Sequence, residues 1–179
     1  MQKETELNRE NIYNGQILDL FKLEVKTEDG FIQNREILEH NGGACIVALT
    51  PEEEVYLVRQ YRIAVDDFTL EVPAGKLEKG EEPEACAMRE LEEECGLKTD
   101  SIELISQIYP TPGYSNEIIY IYYADSFSQS EQNLDQGEFV QIEKYPLIEA
   151  INMIQLGKIK DAKTIIALQT AWIKRNLKQ

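Results

Sequence analysis

The segment from Gly75 to Leu97, GKLEKGEEPEACAMRELEEECGL, crowds acids at spacings that a solvated helix face does not need. Glu90, Glu93 and Glu94 fall close together, Arg89 directly precedes them, and Gly75, Glu81 and Gly96 flank them. A helix is expected from Pro83 to Cys95, about three turns, because Pro83 suits a first helical position, acids crowd the first turn and Gly96 suits a left-handed cap. In helical phase Met88, Leu91 and Cys95 recur at steps of three and four as an apolar stripe, while Glu90, Glu93 and Glu94 share another side. Like charges so spaced repel by roughly a few tenths of a kcal/mol each, so a cation is expected over them. Carboxylates, joined by water and a backbone carbonyl, are hard oxygen donors suited to magnesium or manganese. Arg89 lies between the acids and the apolar side and is read as an orienter that holds a carboxylate in its rotamer. An isolated surface Arg–Glu pair would contribute only about 0 to 1 kcal/mol.

Written out, the array is G-x5-E-x7-R-E-L-x-E-E-x-G-L, from Gly75 to Leu97. It resembles the box of the Nudix hydrolases, enzymes that cleave nucleoside diphosphates linked to another moiety. The resemblance implies a metal site made of Glu90, Glu93, Glu94 and the carbonyl of Ala74, which precedes Gly75, with Glu81 supporting it through water. It also implies that Glu93 and Arg89 serve catalysis directly.

The flanks bear on the substrate. Pro112-Gly113, about fifteen residues past the box, resembles the marker of the ADP-ribose pyrophosphatase branch, and so do LVRQYRIAVDDFTLEVPAGKLEKGE before the box and DAKTIIAL near the end. The likeness extends from about Gly15 to Leu168. It implies hydrolysis of ADP-ribose to AMP and ribose 5-phosphate, with Arg62 and Arg35 on the substrate phosphates or base, Glu117 near the terminal ribose and Gly113 in the substrate loop. Arg59 is a second arginine candidate only if its strand is irregular, since residues three apart point opposite ways in an ideal strand. Where the branch sandwiches adenine between aromatics, this chain has Ile17 and Leu18. The branch's proton acceptor is a glutamate on a loop between the last strands, here within SQSEQNLDQGEFVQIEKY; Glu138 is the choice, with Asp135 and Glu131 as substitutes. Members exchange N-terminal elements across a homodimer, which would carry Ile17 to the partner's site. Other nucleoside diphosphate sugars, dinucleotides and a non-catalytic nucleotide sensor stay open as alternatives.

Elements must hold these residues in place. Segments 16–26 and 31–38 alternate around Thr27 to Gly30, whose Asp-Gly ending signals a hairpin. Segments 44–50, 54–62 and 68–73 read as strands leading into the box, and 102–109 and 117–124 as strands after it. Segments 146–157 and 161–177 read as helices, with Gly157 ending the first and Asp161 capping the second. The expected fold is α+β, an α/β/α sandwich with a mixed sheet between helices as in the Nudix fold. The expected division is an N-terminal β subdomain over 1–42, which dimerises, and a hydrolase domain over 43–179.

Composition agrees. The chain has 179 residues, enough for a substantial core, and a net charge of -15, which argues against nucleic acid as a partner because such binding needs lysine and arginine on phosphates. No apolar run approaches the roughly 18 residues that cross a bilayer, and the N-terminus has no apolar signal region, so a cytoplasmic location without membrane attachment is expected. Cys45, Cys86 and Cys95 read as buried thiols, and His40, the one histidine, cannot by itself supply a histidine-rich zinc site.

Overall fold

The structure, a computed structural model, describes residues 2–134, 136–137 and 139–177. In chain order the elements are β1 (Glu4–Asn14), β2 (Leu18–Thr27), β3 (Ile32–His40), β4 (Gly43–Ala48), β5 (Glu54–Arg62), β6 (Asp67–Glu71), β7 (Ala74–Lys76), α1 (Pro83–Cys95), β8 (Leu97–Lys98), β9 (Glu103–Ile108), β10 (Ile119–Ala124), β11 (Ser128–Gln129), β12 (Val140–Pro146), α2 (Leu147–Gln155) and α3 (Ala162–Leu177). They group into two compact units, Met1–Gly42 with Tyr109–Ile118, and Gly43–Ile108 with Ile119–Gln179.

In the first unit β1, β2 and β3 form an antiparallel sheet in that order. The Asp29-Gly30 turn closes the β2–β3 hairpin: Gly30 takes φ +93° and its N–H bonds the Thr27 carbonyl at 2.9 Å. Leu23 and Val25 are its buried residues, as the alternation of β2 requires. Periodicity misses β1, because ETELNRENIYN is exposed throughout and its pairing to β2 shifts register twice. The segment from Tyr109 joins this unit through a parallel bridge between Leu38 and Ser115, with Leu38 N–H on the Tyr114 carbonyl at 2.7 Å.

The second unit holds a mixed sheet, β7-β4-β10-β9, in which β4 and β10 run parallel and the other pairs antiparallel. An antiparallel sheet, β12-β5-β6, is joined to it by a bridge between Leu49 and Val55, and β11 pairs with β8. β4 is buried along its whole length, and its side chains divide by parity. Cys45 and Val47 enter a core with Ile121, Met153, Leu168 and Ala171 from β10, α2 and α3, whereas Ala44 and Ile46 enter one with Cys86, Ala87, Leu91 and Cys95 of α1. Burial on both faces explains why ACIVALT reads as one unbroken apolar run. Helices therefore cover the sheet on both sides, the expected α/β/α sandwich.

Two local expectations change. The face of α1 against the sheet is Cys86, Ala87, Leu91 and Cys95, and Met88 is only half-buried beside it. Residues 140–145, read as part of a loop, and Pro146, read as a helix start, form β12, because they pair along β5 in unbroken register from Val140–Gln60 to Pro146–Glu54. Both ends of α1 follow the reading: Pro83 opens it, and Gly96 closes it at φ +62° with its N–H on the Glu92 carbonyl at 2.9 Å. Asp161 caps α3 by accepting the Thr164 N–H at 3.0 Å. Leu91, fully buried, fixes the height and rotation of α1 on the sheet. Leu91→Ala is expected to destabilise the protein by about 3 kcal/mol in urea denaturation.

Candidate active site

Glu90 and Glu93 lie around α1 from Leu91, whereas Glu94, one turn on from Leu91, is buried beside it, and main chain meets the acids there. β7 lies antiparallel on β4 and brings the Ala74-Gly75 backbone to the helix, so that the Ala74 N–H donates to Oε2 of Glu94 at 2.9 Å. Glu94 is 3% exposed, and a carboxylate so buried needs such a donor. Glu90 rests on the bare α-carbon of Gly75: a Cβ built there would fall 1.6 Å from its Oε1. Glycine at this position is therefore required by close approach, not by a turn.

Arg89 organises the remaining acids. Its Nε and Nη2 donate to the two oxygens of Glu81 at 2.9 and 3.2 Å, and its Nη1 donates to Glu90 at 2.7 Å and Glu93 at 2.8 Å. Glu81 also accepts the Glu78 N–H at 2.9 Å, and the Arg89 hydrogen bond is the main cause that lowers its pKa. Together the acids hold the guanidinium fully protonated, with its pKa raised.

Three carboxylates, Glu81, Glu90 and Glu93, thus surround one guanidinium, and Glu94 adds a fourth acid on the Ala74 N–H, an excess of negative charge. Among the described residues no three carboxylate, thiol or imidazole side chains form a preformed cage. The donors nonetheless suit a hard divalent cation: they are all oxygens, they share one helix face, and the glycine cradle brings backbone against them. The cysteines supply no alternative ligands, since all are buried and free, and burial pushes the Cys45 and Cys86 thiols up to about 12.

The C-terminal turn of α1 also anchors the loop that follows β11. Asn133 N–H bonds the Glu93 carbonyl at 3.1 Å, Gln132 Nε2 bonds the Glu94 carbonyl at 2.7 Å, and Ser130 Oγ donates to Glu92 at 2.7 Å. The first two satisfy helix-end carbonyls that have no partner within the helix, and the third reaches the Glu92 carboxylate. The loop that carries the candidate bases is thus tied to the residues bearing Glu93 and Glu94. Glu131 is exposed on it, whereas Glu138 and Asp135 lie outside the described residues.

A second charged cluster lies on β5, β6 and the start of α3. The β5–β6 register is unbroken, so Arg59 and Arg62 face opposite ways. Arg59 pairs with Glu143 of β12, and Arg62 forms a two-pronged bond to Glu71, Nε to Oε1 and Nη2 to Oε2, both 2.8 Å. Glu71 also accepts from Lys163 Nζ and, at 2.6 Å, from Thr69 Oγ1. Burial alone would raise the Glu71 pKa, but Arg62 and Lys163 outweigh it and hold the carboxyl at about 2. Sequence reading missed Glu71 and Lys163. The available signal was a lone acid inside the apolar strand FTLEVP, where a buried charge needs a partner.

The remaining candidates belong to the first unit. Arg35 bonds Glu4, with Nε on its Oε2 at 3.1 Å, and also Gln33 at 2.8 Å. Glu117 lies 3.5 Å from Nδ1 of His40, which accepts the Gly42 N–H at 3.0 Å. Gly113 is open to solvent in its turn, and Ile17 is 55% exposed between β1 and β2.

A sheet covered on both faces, with an acid-bearing helix docked on a strand glycine, is the architecture of the Nudix hydrolases, and the chain belongs to that family: the NUDIX domain model matches residues 39–168. Among its relatives, the ADP-ribose pyrophosphatase of Bacillus subtilis (strain 168) is 36% identical over 98% of this chain and 96% of its own. The methanol dehydrogenase activator of Bacillus methanolicus is 37% identical with the same coverage, and a GDP-mannose pyrophosphatase of Yersinia enterocolitica is 36% identical over 82% of this chain and 81% of its own. The crystal structure of an ADP compounds hydrolase shares the fold with a TM-score of 0.84 at 19% identity, covering 97% of this chain and 96% of that one. Nudix hydrolases generally use a divalent metal.

Gly75→Ala tests the cradle. The added methyl is expected to displace the Glu90 carboxylate and weaken divalent-metal binding by at least about tenfold, measured by isothermal titration calorimetry, while the far-ultraviolet circular dichroism stays that of the folded protein.

Proposed function

We propose that this chain hydrolyses the diphosphate of ADP-ribose to AMP and ribose 5-phosphate, using magnesium, with manganese as a substitute. The observation that carries the reading is the convergence of Glu90 and Glu94 on the Ala74-Gly75 backbone, within a chain similar along its length to an ADP-ribose pyrophosphatase. Glu90, Glu93, Glu94 and the Ala74 carbonyl are the residues that would hold the ion. A bound divalent ion neutralises charge on phosphoryl oxygens and favours attack by water. Arg89 keeps Glu90 and Glu93 in their rotamers through its shared Nη1. Arg62 would bond an anionic phosphate oxygen, a reading supported by the part of its guanidinium that Glu71 leaves exposed, with Arg59 as the weaker candidate because it faces the other way. Water adds to phosphorus, the anhydride P–O bond breaks, and the proton of the attacking water passes to a loop carboxylate, for which Glu138 is our choice and Asp135 or Glu131 the substitutes. Substrate roles for Arg35, Glu117, Gly113 and Ile17 rest on the family resemblance.

The similarity to GDP-mannose pyrophosphatases gives a second reading, a related nucleoside diphosphate sugar as substrate. An intact acid cluster counts against a non-catalytic sensor. Among the described residues no helix is long and apolar enough to cross a membrane, and we take the enzyme to act in the cytoplasm.

The decisive assay measures phosphate release from ADP-ribose with a coupled phosphatase, beside a panel of nucleoside diphosphate sugars and dinucleotides. Glu94→Gln is expected to lower kcat by at least about a hundredfold at equal folded concentration. Full magnesium-dependent activity in that variant would remove the metal assignment, and a larger kcat/KM for another panel member would move the substrate.

We further propose a homodimer formed through the N-terminal subdomain, residues 1–42. Support comes from β1, the edge strand of its sheet, which is exposed over 11 residues and presents Leu7, Ile12 and Tyr13 to solvent. A long edge strand with apolar side chains is a pairing hazard unless covered. Sedimentation at micromolar concentration is expected to give the mass of two chains; a monomer would refute the dimer.

A further inference from the structure

Arg62 bonds Glu71 through Nε and one proton of Nη2. Nη1 and the second Nη2 proton take no hydrogen bond among the described residues, and the side chain is 43% exposed. Arg62 lines a cleft of about 590 Å³ together with Phe68, Glu71, Lys158, Lys160 and Lys163. Glu71, by contrast, is 2% exposed and accepts from three side chains, Arg62, Lys163 and Thr69. A carboxylate is almost never so buried unless paired, and these three donors supply the pairing.

The far side of the cluster is fixed as well. Lys163 bonds Asp161 at 3.0 Å, and Asp161 accepts from the Thr164 hydroxyl at 2.6 Å. That hydroxyl in turn accepts the N–H of Val72, the residue after Glu71, at 2.9 Å. α3 thereby holds both the lysine and the strand bearing the glutamate. A charge chain runs Asp161, Lys163, Glu71, Arg62 from a capped helix end to the cleft.

We propose that Glu71 and Lys163 are positioning residues that aim Arg62 at the substrate phosphate. Glu71 fixes the plane of the guanidinium from one edge and leaves the opposite edge, with Nη1, for a bidentate bond to phosphate oxygens. Lys163 has two effects. It fixes the Glu71 carboxylate, and it shares that negative charge, so Arg62 is not neutralised by its own anchor and keeps its attraction for an anion. The inference rests on the diphosphate hydrolase reading above.

The test is a double-mutant cycle on KM for ADP-ribose, using Lys163→Met and Arg62→Ala, singly and together. Lys163→Met is expected to raise KM about tenfold in the native background and less than about twofold beside Arg62→Ala, because the lysine acts through the arginine. Lys163→Arg, which keeps the charge, is expected to recover most of the loss, which a requirement for lysine packing alone would not allow. If Lys163→Met does not fold, Thr69→Val supplies the same cycle: it removes only the hydroxyl on Glu71, and about a fivefold rise in KM is expected. Equal factors in both backgrounds would overturn the positioning role, as would a raised KM in Arg62→Ala with none in Lys163→Met. An unchanged KM in Arg62→Ala would instead fault the assignment of Arg62 to the phosphate, and the pair would fall with it.

Discussion

Three carboxylates held against one guanidinium are the constraint on which the hydrolase unit depends. Mutual repulsion would splay Glu81, Glu90 and Glu93, and Arg89 prevents this by donating to all of them from one planar group. Lysine could not substitute, since its single point charge cannot bond carboxylates along separate edges. Glu94 is stabilised differently, by burial against a backbone N–H. Because the donor is a fixed peptide, no second side chain has to be ordered to make this bond. Negative charge is left over, and its arrangement is maintained because the sheet holds α1 in place.

That rigidity has its source in β4. Its even-numbered residues meet α1 and its odd-numbered residues meet the core under α2 and α3, so any slip of the strand would move both layers together. β7 pairs with β4 from Gly43–Lys76 to Cys45–Ala74, which sets the Ala74-Gly75 backbone at a defined height against the helix. Small side chains at Ala44 and Ala87 let strand and helix approach closely. The chemistry of α1 and the packing of β4 are therefore two results of one register.

Much of this is legible in the sequence because local rules suffice. Pro83 and Gly96 bound α1, phasing sets Leu91 apart from Glu90 and Glu93, and Asp161 caps α3, each within a few residues of chain. β1 and β12 escape because their stability lies in partners distant in sequence: β1 has an exposed, polar sequence paired to β2, and β12 finds the edge of β5 some eighty residues away. Met88 was misplaced for a related reason. Periodicity locates a face only to within one residue, and which side of the stripe enters the core depends on the tilt of α1 on the sheet, where Cys86 and Ala87 fit and Met88 does not.

Glu71 marks the limit of that local reading. Its partners Arg62, Lys163 and Thr69 come from three elements, and only the folded chain assembles them. The two charged clusters handle the same electrostatic problem in opposite ways. Around Arg89 acids outnumber cations, and the unbalanced charge is directed at a metal ion. Around Glu71 cations and acids alternate, so the buried charge is balanced inside while one edge of Arg62 stays open to the cleft. Glu94 is also among the charges that raise the Arg62 pKa, behind Glu71. A diphosphate with a divalent ion needs both signs, and the two-pronged bond to Glu71 holds the Arg62 guanidinium on the β5–β6 sheet, apart from the acids of α1.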